Sequence, residues 1–412
     1  MPEPTIISAP PALRREKISI EALKVVQRLQ QQGYQAYIAG GGVRDLLLGR
    51  HPKDFDIATS AHPNEVRRVF HNCRLIGRRF RLAHILFRGM FIEVATFRAA
   101  VDAETDEQPE APLAGRDAPL EAFRARDGMI LRDNVFGTAE QDAWRRDFTI
   151  NALFYDPEAH QVIDYCGGLP DLERRILRSI GDPLVRFRED PVRMLRACRF
   201  AGALDFQIEP HADHAIAKLR DDLARASPSR MYEEVLKLFN SGAAEGIFRH
   251  LHRTGLFSVI FPEAGAWLAT EEGEEAQLRI YHALRQMDVW KRHGHGINPP
   301  LAWALAFGPY HEHLAADLQR QQPSLKSSPA LAMATIAHLR GLAKHVQVFK
   351  HVVRDASMIM AAQPMFEKTR VGVRTDRFRT RHYFGDALVY LKLRSAWTGT
   401  GGDLVHWWQQ HL

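Results

Sequence analysis

GGGVRDLLLGRHPKDFDIAT, residues 40–59, joins a run of glycines to a pair of aspartates. Asp54 and Asp56 are separated by Phe55, and on an extended strand alternate side chains share a face. The two carboxylates are therefore expected side by side, where they repel unless a cation lies between them. Gly40 and Gly41, just upstream, let the backbone approach a phosphate closely. The combination points to a magnesium–nucleotide site, and so to phosphoryl or nucleotidyl transfer. It is not a Walker loop, because no Gly-Lys-Ser/Thr ending follows the glycines.

The flanking residues read as short helices and strands. Gln35 to Ala39 looks like a strand running into the glycines, and Val43 to Leu48 like a short helix stopped by Gly49. The N-terminus of that helix can receive a triphosphate. Upstream, Ile20, Leu23, Val26 and Leu29 have helical spacing, and Gly33 closes the segment. Downstream, Pro63 to Phe70 reads as a helix with proline in its first turn. Leu82 to Phe87 and Phe91 to Phe97 read as strands joined by a hairpin at Arg88-Gly89-Met90. Residues 1–17 are Pro-rich and expected to form a flexible arm. Residues 101–128 are acidic and lack an apolar period, which predicts a mobile surface loop. From about residue 171 onward the pattern is mainly helical, rich in Leu, Ala and Arg.

Composition bounds the class. The chain has 412 residues, enough for two to four domains. Its 45% apolar content suits a sizeable core, and its net charge of +6 suits an anionic partner such as nucleic acid. Cys73, Cys166 and Cys198 have neither disulfide-framework nor zinc spacing and read as reduced thiols. No stretch approaches the roughly 18 apolar residues needed to cross a bilayer. The first 17 residues lack the apolar run of a secretory signal. A cytoplasmic protein with no membrane segment is expected.

Several other positions carry chemistry. Glu93, in Phe91-Ile92-Glu93-Val94-Ala95, either faces solvent or completes a metal site on a neighbouring strand. Arg44 can fork onto phosphates or simply pair with Asp45. Arg145-Arg146-Asp147 can bind phosphate or ribose, assist the metals, or form a structural ion cluster. Glu189-Asp190-Pro191-Val192-Arg193 reads as the start of a helix with acids at its N-terminus. Asp190 and Arg193, three apart, pair an acceptor with a donor suited to the edge of a base. Arg196 and Arg199 follow at similar spacing and can reach phosphates or a base face. Ordinary helix ion pairs are the alternative for all of them.

Taken together, residues 40–59, RRDFTINALFY (145–155) and REDPVRMLRACRFA (188–201) resemble the bacterial class II nucleotidyltransferases. These are the poly(A) polymerases and CCA-adding enzymes of the DNA polymerase β superfamily. The resemblance implies an α+β fold: a small polymerase-β-like nucleotidyltransferase head with a mixed β-sheet, followed by a mostly α-helical neck, body and tail. The expected divisions are the arm at 1–17, the head at 18–155, a neck with base recognition at 156–260, and a helical body and tail at 261–412. Asp54 and Asp56 match the metal-binding catalytic pair, holding two Mg2+ ions. Asp147 matches the third residue usually counted as catalytic, and geometry offers Glu93 for the same place; both stand. Gly40, Gly41 and Arg44 match the triphosphate positions, and Arg146, Arg196 and Arg199 further nucleotide-binding arginines. Glu189, Asp190 and Arg193 match the base-selecting element.

The activity implied is untemplated transfer of a nucleotide to an RNA 3′-hydroxyl with release of pyrophosphate. Leu75 to Ile85, with Gly77-Arg78-Arg79-Phe80 and His84, is similar to the poly(A) polymerase branch, as are Leu131 to Gly137 and Trp407-Trp408. That branch implies ATP as substrate, RNA 3′ ends taken without sequence preference, and RNA-degradation or RNA-chaperone proteins as partners. CCA addition to tRNA is the competing activity, and an idle RNA-binding scaffold the competing class. Lys368, Arg370, Arg374, Arg377, Arg379 and Arg381, with Phe378 and Tyr383 interleaved, form a candidate RNA surface or a solvated face.

Overall fold

The computed structural model describes residues 3–77, 81–99, 135–368 and 373–411. The segments expected as a mobile loop (101–128), Arg78 to Phe80, Leu131 to Asn134 and Arg370 lie outside these residues, as do the side chains of Lys368 and Arg374. The chain divides into two compact units, residues 1–193 with 206–215, and residues 194–205 with 216–412.

In chain order the first unit contains β1 (Thr5–Ser8), α1 (Ile20–Gln31), β2 (Ala36–Ala39), α2 (Gly41–Leu47), β3 (Asp56–Thr59), α3 (Pro63–Val69), β4 (Cys73–Ile76), β5 (Leu82–Phe87), β6 (Met90–Thr96), α4 (Ala139–Trp144), β7 (Leu153–Asp156), β8 (Gln161–Asp164), α5 (Gly168–Glu173) and α6 (Pro183–Glu189). The strands form one eight-stranded mixed sheet, ordered β1-β8-β7-β2-β3-β6-β5-β4. Only β3 and β6 run parallel within it. Sequence order and spatial order part at β1–β8, at β7–β2 and at β3–β6, where β6 returns parallel beside β3.

Helix α1 begins at Ser19, whose side chain accepts from the Ala22 amide at 3.0 Å. Its buried face is Ala22, Val25, Val26 and Leu29, packed on β2, β3 and β6. Ile20, expected on that face, is 64% exposed, because the buried stripe starts two residues later at Ala22. α3 packs on β4 and β5. Ile57, Ile85, Ile92 and Val94 are buried, whereas their chain neighbours Asp56, His84, Phe91 and Glu93 reach solvent on the other face.

Two boundaries differ from expectation. Residues 5–8, placed in a flexible arm, pair antiparallel with β8 as the edge strand of the sheet. The edge of β8 offers a free ladder, and Thr5 to Ser8 are extended and partly apolar. The head was expected to end at residue 155, but β7 and β8 form an antiparallel hairpin there, so the sheet continues to Asp164.

The second unit is helical. Its core is aromatic: Trp303 packs edge-on to Phe239 at 5.5 Å and stacks on Phe307 at 5.4 Å, and Phe307 meets Phe261 at 4.8 Å. A second aromatic cluster joins Phe366, Phe378, Phe384 and Trp408, with Trp408 Nε1 donating to the Phe366 carbonyl at 3.0 Å. Phe378 is therefore a core residue at 2% exposure, not an aromatic interleaved in an RNA surface. Among the described residues no helix is long and apolar enough to cross a membrane.

Two histidines are buried together in this unit. His311 Nε2 and His338 Nδ1 are 2.9 Å apart, with one ring donating to the other. Burial pushes His338 down to about 3 and holds His311 well below its ordinary value. The unfolded chain protonates below about pH 6.5 while the folded chain does not. Stability is thus full above about pH 6.5 and declines as pH falls toward the folded value of His338. Urea midpoints taken from neutral pH down to about pH 4 should fall steadily, and His338→Gln should flatten that fall. An equal slope in the variant would contradict a buried neutral pair.

Candidate active site

The site is built where β2 turns into α2. Gly40 holds φ at +69°, a left-handed value that disfavours a side chain. Space forbids one as well, since a Cβ there would lie 2.8 Å from Arg146 Nη1 and 3.4 Å from the Asn151 carbonyl oxygen. Arg146 is held in that place by a buried acid on α4. Its Nε and Nη2 donate to Asp142 Oδ2 at 3.2 and 2.9 Å, and its Nη1 donates to the Asn151 carbonyl at 3.1 Å. Asp142 also accepts from Arg145 Nε at 3.1 Å and from the Arg98 amide at 3.2 Å. Burial alone would raise the Asp142 carboxyl, but Arg146 and Arg145 overcome it and hold it below the usual carboxylate range.

Arg44, the fourth residue of α2, is buried. Its Nη1 donates to Asn151 Oδ1 at 2.6 Å, and its Nε and Nη2 donate to Asp45 Oδ1 at 2.8 and 2.7 Å. Asn151 Nδ2 donates in turn to Asp147 Oδ1 at 3.1 Å, which also accepts the Phe148 amide at 2.9 Å. Asp147 thus orients Asn151, and Asn151 orients Arg44. The turn that carries Asn151 is itself anchored: Thr149 Oγ1 donates to Asp171 Oδ2 at 2.8 Å, and Gly168 leaves no room for a Cβ beside the Thr149 carbonyl.

Asp56 opens β3 and Asp54 precedes it by two residues, with Phe55 buried between them. Solvent reaches both aspartates. β6 runs beside β3 with Ile57 opposite Val94, which sets Glu93 next to Asp56. The Asp56 carboxyl is pushed up to about 6, first by burial, then by the charges of Glu93 and Asp54, while Arg146 pulls the other way. Of the two candidates for a third carboxylate, Glu93 is the one whose charge acts on Asp56, whereas Asp147 is engaged with Asn151 and Phe148. Among the described residues no three His, Cys, Asp or Glu side chains close into a metal cage.

The base-selecting candidates lie around a break between two helices. Glu189 is the last residue of α6 and Asp190 caps it, so neither acid stands inside the first turn of α7 (Val192–Leu204). Pro191 has no amide to donate and interrupts the ladder. Glu189 Oε2 accepts from Arg186 Nη1 at 2.7 Å and Arg193 Nη1 at 3.3 Å, while Asp190 Oδ1 accepts from the Val192 amide at 3.2 Å. Arg193 is therefore paired with Glu189. Arg186 Nη2 reaches the carbonyls of Arg145 and Arg146 at 2.5 and 2.9 Å, tying α6 to the Arg-Arg segment. Arg196 and Arg199 belong to the second unit, where both guanidinium groups lie over Phe200 at 5.2 and 4.3 Å and Arg199 Nε is 3.4 Å from Glu234 Oε2.

Three residues that sequence reading passed over are integral to the arrangement. Asp142 could have been found from its i+3 and i+4 spacing to Arg145 and Arg146. For Asn151 and Arg186 the bonds that matter, from Arg44 to Asn151 and from Arg186 to the Arg145 and Arg146 carbonyls, join segments distant in sequence, and no local pattern announces them.

The chain matches the family models described as "Poly A polymerase head domain" over residues 36–178, "Probable RNA and SrmB- binding site of polymerase A" over 205–268, and "Polymerase A arginine-rich C-terminus" over 323–412. It is 45% identical over 297 residues to the poly(A) polymerase I of Salmonella typhi, covering 72% of this chain and 61% of that relative's length. The poly(A) polymerase I of Haemophilus influenzae is 43% identical over 318 residues, 77% of this chain and 67% of its own length. A CCA-adding enzyme of Geobacillus stearothermophilus is 37% identical over 265 residues, 64% of this chain and 58% of its own. Among solved structures, the Bacillus stearothermophilus CCA-adding enzyme in complex with CTP superposes with a TM-score of 0.64 at 27% identity, covering 94% of this chain and 80% of that one.

Replacing Asp142 by Asn would leave two guanidinium groups without their shared buried carboxylate. Loss of one partner of a buried pair costs about 3 kcal/mol or more. Asp142→Asn should therefore lower the unfolding free energy by about 3 kcal/mol, read by urea denaturation. A cost below about 1 kcal/mol would mean the cluster behaves as a surface pair.

Proposed function

This chain belongs to the poly(A) polymerase family of class II nucleotidyltransferases, and from that footing we propose that it is a template-independent polynucleotide adenylyltransferase. It adds AMP from ATP to RNA 3′ ends, making poly(A) tails that promote RNA turnover, and releases pyrophosphate. The observation that carries this reading is the crowding at Asp56, which strand register sets beside Glu93 two residues after Asp54, and whose ionisation is opposed first by burial and then by those two charges. A carboxylate cluster of this kind is stable in its charged form with a cation present. The higher identity to poly(A) polymerases than to CCA-adding enzymes, 45% against 37%, favours adenylate addition.

The donor set fits magnesium. Mg2+ keeps several waters and binds through one or two carboxylates plus substrate phosphates, so a closed protein cage is not required. Asp54 and Asp56 are the residues that would hold it, with Glu93 or Asp147 as the third carboxylate. Bound there, the metal supplies acidification of the attacking hydroxyl and neutralisation of charge on the phosphates. The chain's own groups do the rest. Backbone at Gly40 and Gly41 admits the triphosphate closely, and Arg44 and Arg146 face it with guanidinium groups already oriented by Asn151 and Asp142. Through Asn151, Asp147 also orients Arg44. Glu189, Asp190 and Arg193 read the adenine edge, and Arg196 and Arg199 serve as further nucleotide ligands.

RNA is held through its phosphates without sequence preference. Protein partners of the RNA-degradation or RNA-chaperone kind belong to the same proposal. Cys73, Cys166 and Cys198 form no disulfide with one another, which fits a reducing, cytoplasmic setting.

With ATP alone, the protein should extend an oligoribonucleotide by many residues, and Asp54→Asn should abolish extension while leaving thermal unfolding nearly unchanged. Addition limited to C, C and A on tRNA would establish the CCA-adding alternative. Full activity in Asp54→Asn would remove the metal assignment.

A further inference from the structure

One row of side chains crosses four strands on the open face of the head sheet. Strand register sets Asp56 of β3 beside Glu93 of β6, Glu93 opposite His84 of β5, and His84 opposite Arg74 of β4. His84 Nε2 lies 3.4 Å from Glu93 Oε2. Phe91 stands two residues before Glu93, and so on the same face. Its ring lies flat on His84, with centroids 4.2 Å apart and planes 9° from parallel, yet Phe91 remains 51% exposed. His84 therefore covers one side of the ring and leaves the other to solvent. Ile76, on the same face of β4, is 46% exposed.

An isolated exposed aromatic needs no explanation. This one is set apart by where it stands. The glycine turn and Arg44 lie on the β2 side of the aspartates, and β6, β5 and β4 extend on the opposite side. In-line displacement puts the attacking oxygen and the departing pyrophosphate on opposite sides of the α-phosphorus. If the triphosphate occupies the β2 side, the RNA 3′ end must come in over β6 to β4. There the face offers an aromatic ring and a guanidinium group, the pair that holds single-stranded RNA without reading its sequence.

Resting on the adenylyltransferase reading above, we propose that the 3′-terminal base of the RNA stacks on Phe91 and that Arg74 takes a backbone phosphate upstream of the reacting hydroxyl. His84 is a positioning residue: it braces the Phe91 ring and holds Glu93 beside Asp56.

The test uses the full chain, an oligoribonucleotide ending in 2-aminopurine riboside, and the variants Phe91→Leu, Phe91→Tyr and Arg74→Gln. Stacking quenches 2-aminopurine, so RNA binding to the unaltered protein should dim it. Phe91→Leu should lose the quenching and raise KM for RNA about 10-fold, with KM for ATP unmoved, and Phe91→Tyr should restore both. Arg74→Gln should lower the slope of log affinity against log salt by about 1. Unaltered quenching and RNA KM in Phe91→Leu would overturn the proposal. So would a rise in the KM for ATP instead, which would assign the ring to the incoming nucleotide. Quenching that depends on Phe91 in a protein that transfers no AMP would fault the enzymatic reading and leave the stacking site standing.

Discussion

Arg146 occupies the space that a side chain at residue 40 would need. That contact joins two segments more than a hundred residues apart, the β2–α2 turn and the end of α4. It works only because the guanidinium is neutralised and aimed by Asp142, a carboxylate buried at 3% exposure. A buried charge of either sign would be costly alone, and the pair is tolerable because each satisfies the other's hydrogen bonds. Gly40 supplies the second half of the constraint, since its φ of +69° turns the chain so that the backbone itself lines the site.

From this joint the charge pattern of the site follows. Two guanidinium groups, Arg44 and Arg146, are fixed by Asn151 and Asp142, so their direction is settled before any ligand arrives. Next to them, β3 and β6 bring Asp56 and Glu93 into the same field. Cations and acids thus stand in adjoining strips of one surface. Such an arrangement suits a substrate that is anionic at its phosphates and needs metal at the reacting bond. Preorganisation of this kind removes the cost of reorienting dipoles during reaction.

Adenylate addition, proposed for this chain, and CCA addition would run on one scaffold, as the TM-score of 0.64 to a CTP-bound CCA-adding enzyme indicates. The roles proposed for the carboxylates and the glycine turn belong to chemistry common to both. Differences between them must then reside in the groups that touch the base and the RNA. At the break between α6 and α7, Glu189 takes Arg193 as its partner and Asp190 caps a backbone amide. The hydrogen-bonding capacity left at that break depends on this local exchange of partners.

Local chemistry made much of this legible before any fold was known. Asp-x-Asp announced a strand, although β3 begins only at Asp56 and Asp54 precedes it, glycine runs announce close backbone approach, and α1, α2, α3, β5 and β6 followed from apolar spacing and punctuating Gly and Pro. The edge strand at residues 5–8 did not, because pairing with β8 is a long-range event in a segment whose prolines dominate its local signal. Phe378 read as part of a basic surface because its neighbours are charged, and only packing against Phe366, Phe384 and Trp408 reveals it as core. By itself the sequence determined which residue types could do chemistry and, for the glycine turn, Asp56 and Glu93, on which local element each would sit. Tertiary structure alone decided that Asn151 would aim Arg44, that Arg146 would lie against Gly40, and that Glu93 would stand beside Asp56. Those relations depend on strand order and on contacts between residues far apart along the chain, and no periodicity within a segment encodes them.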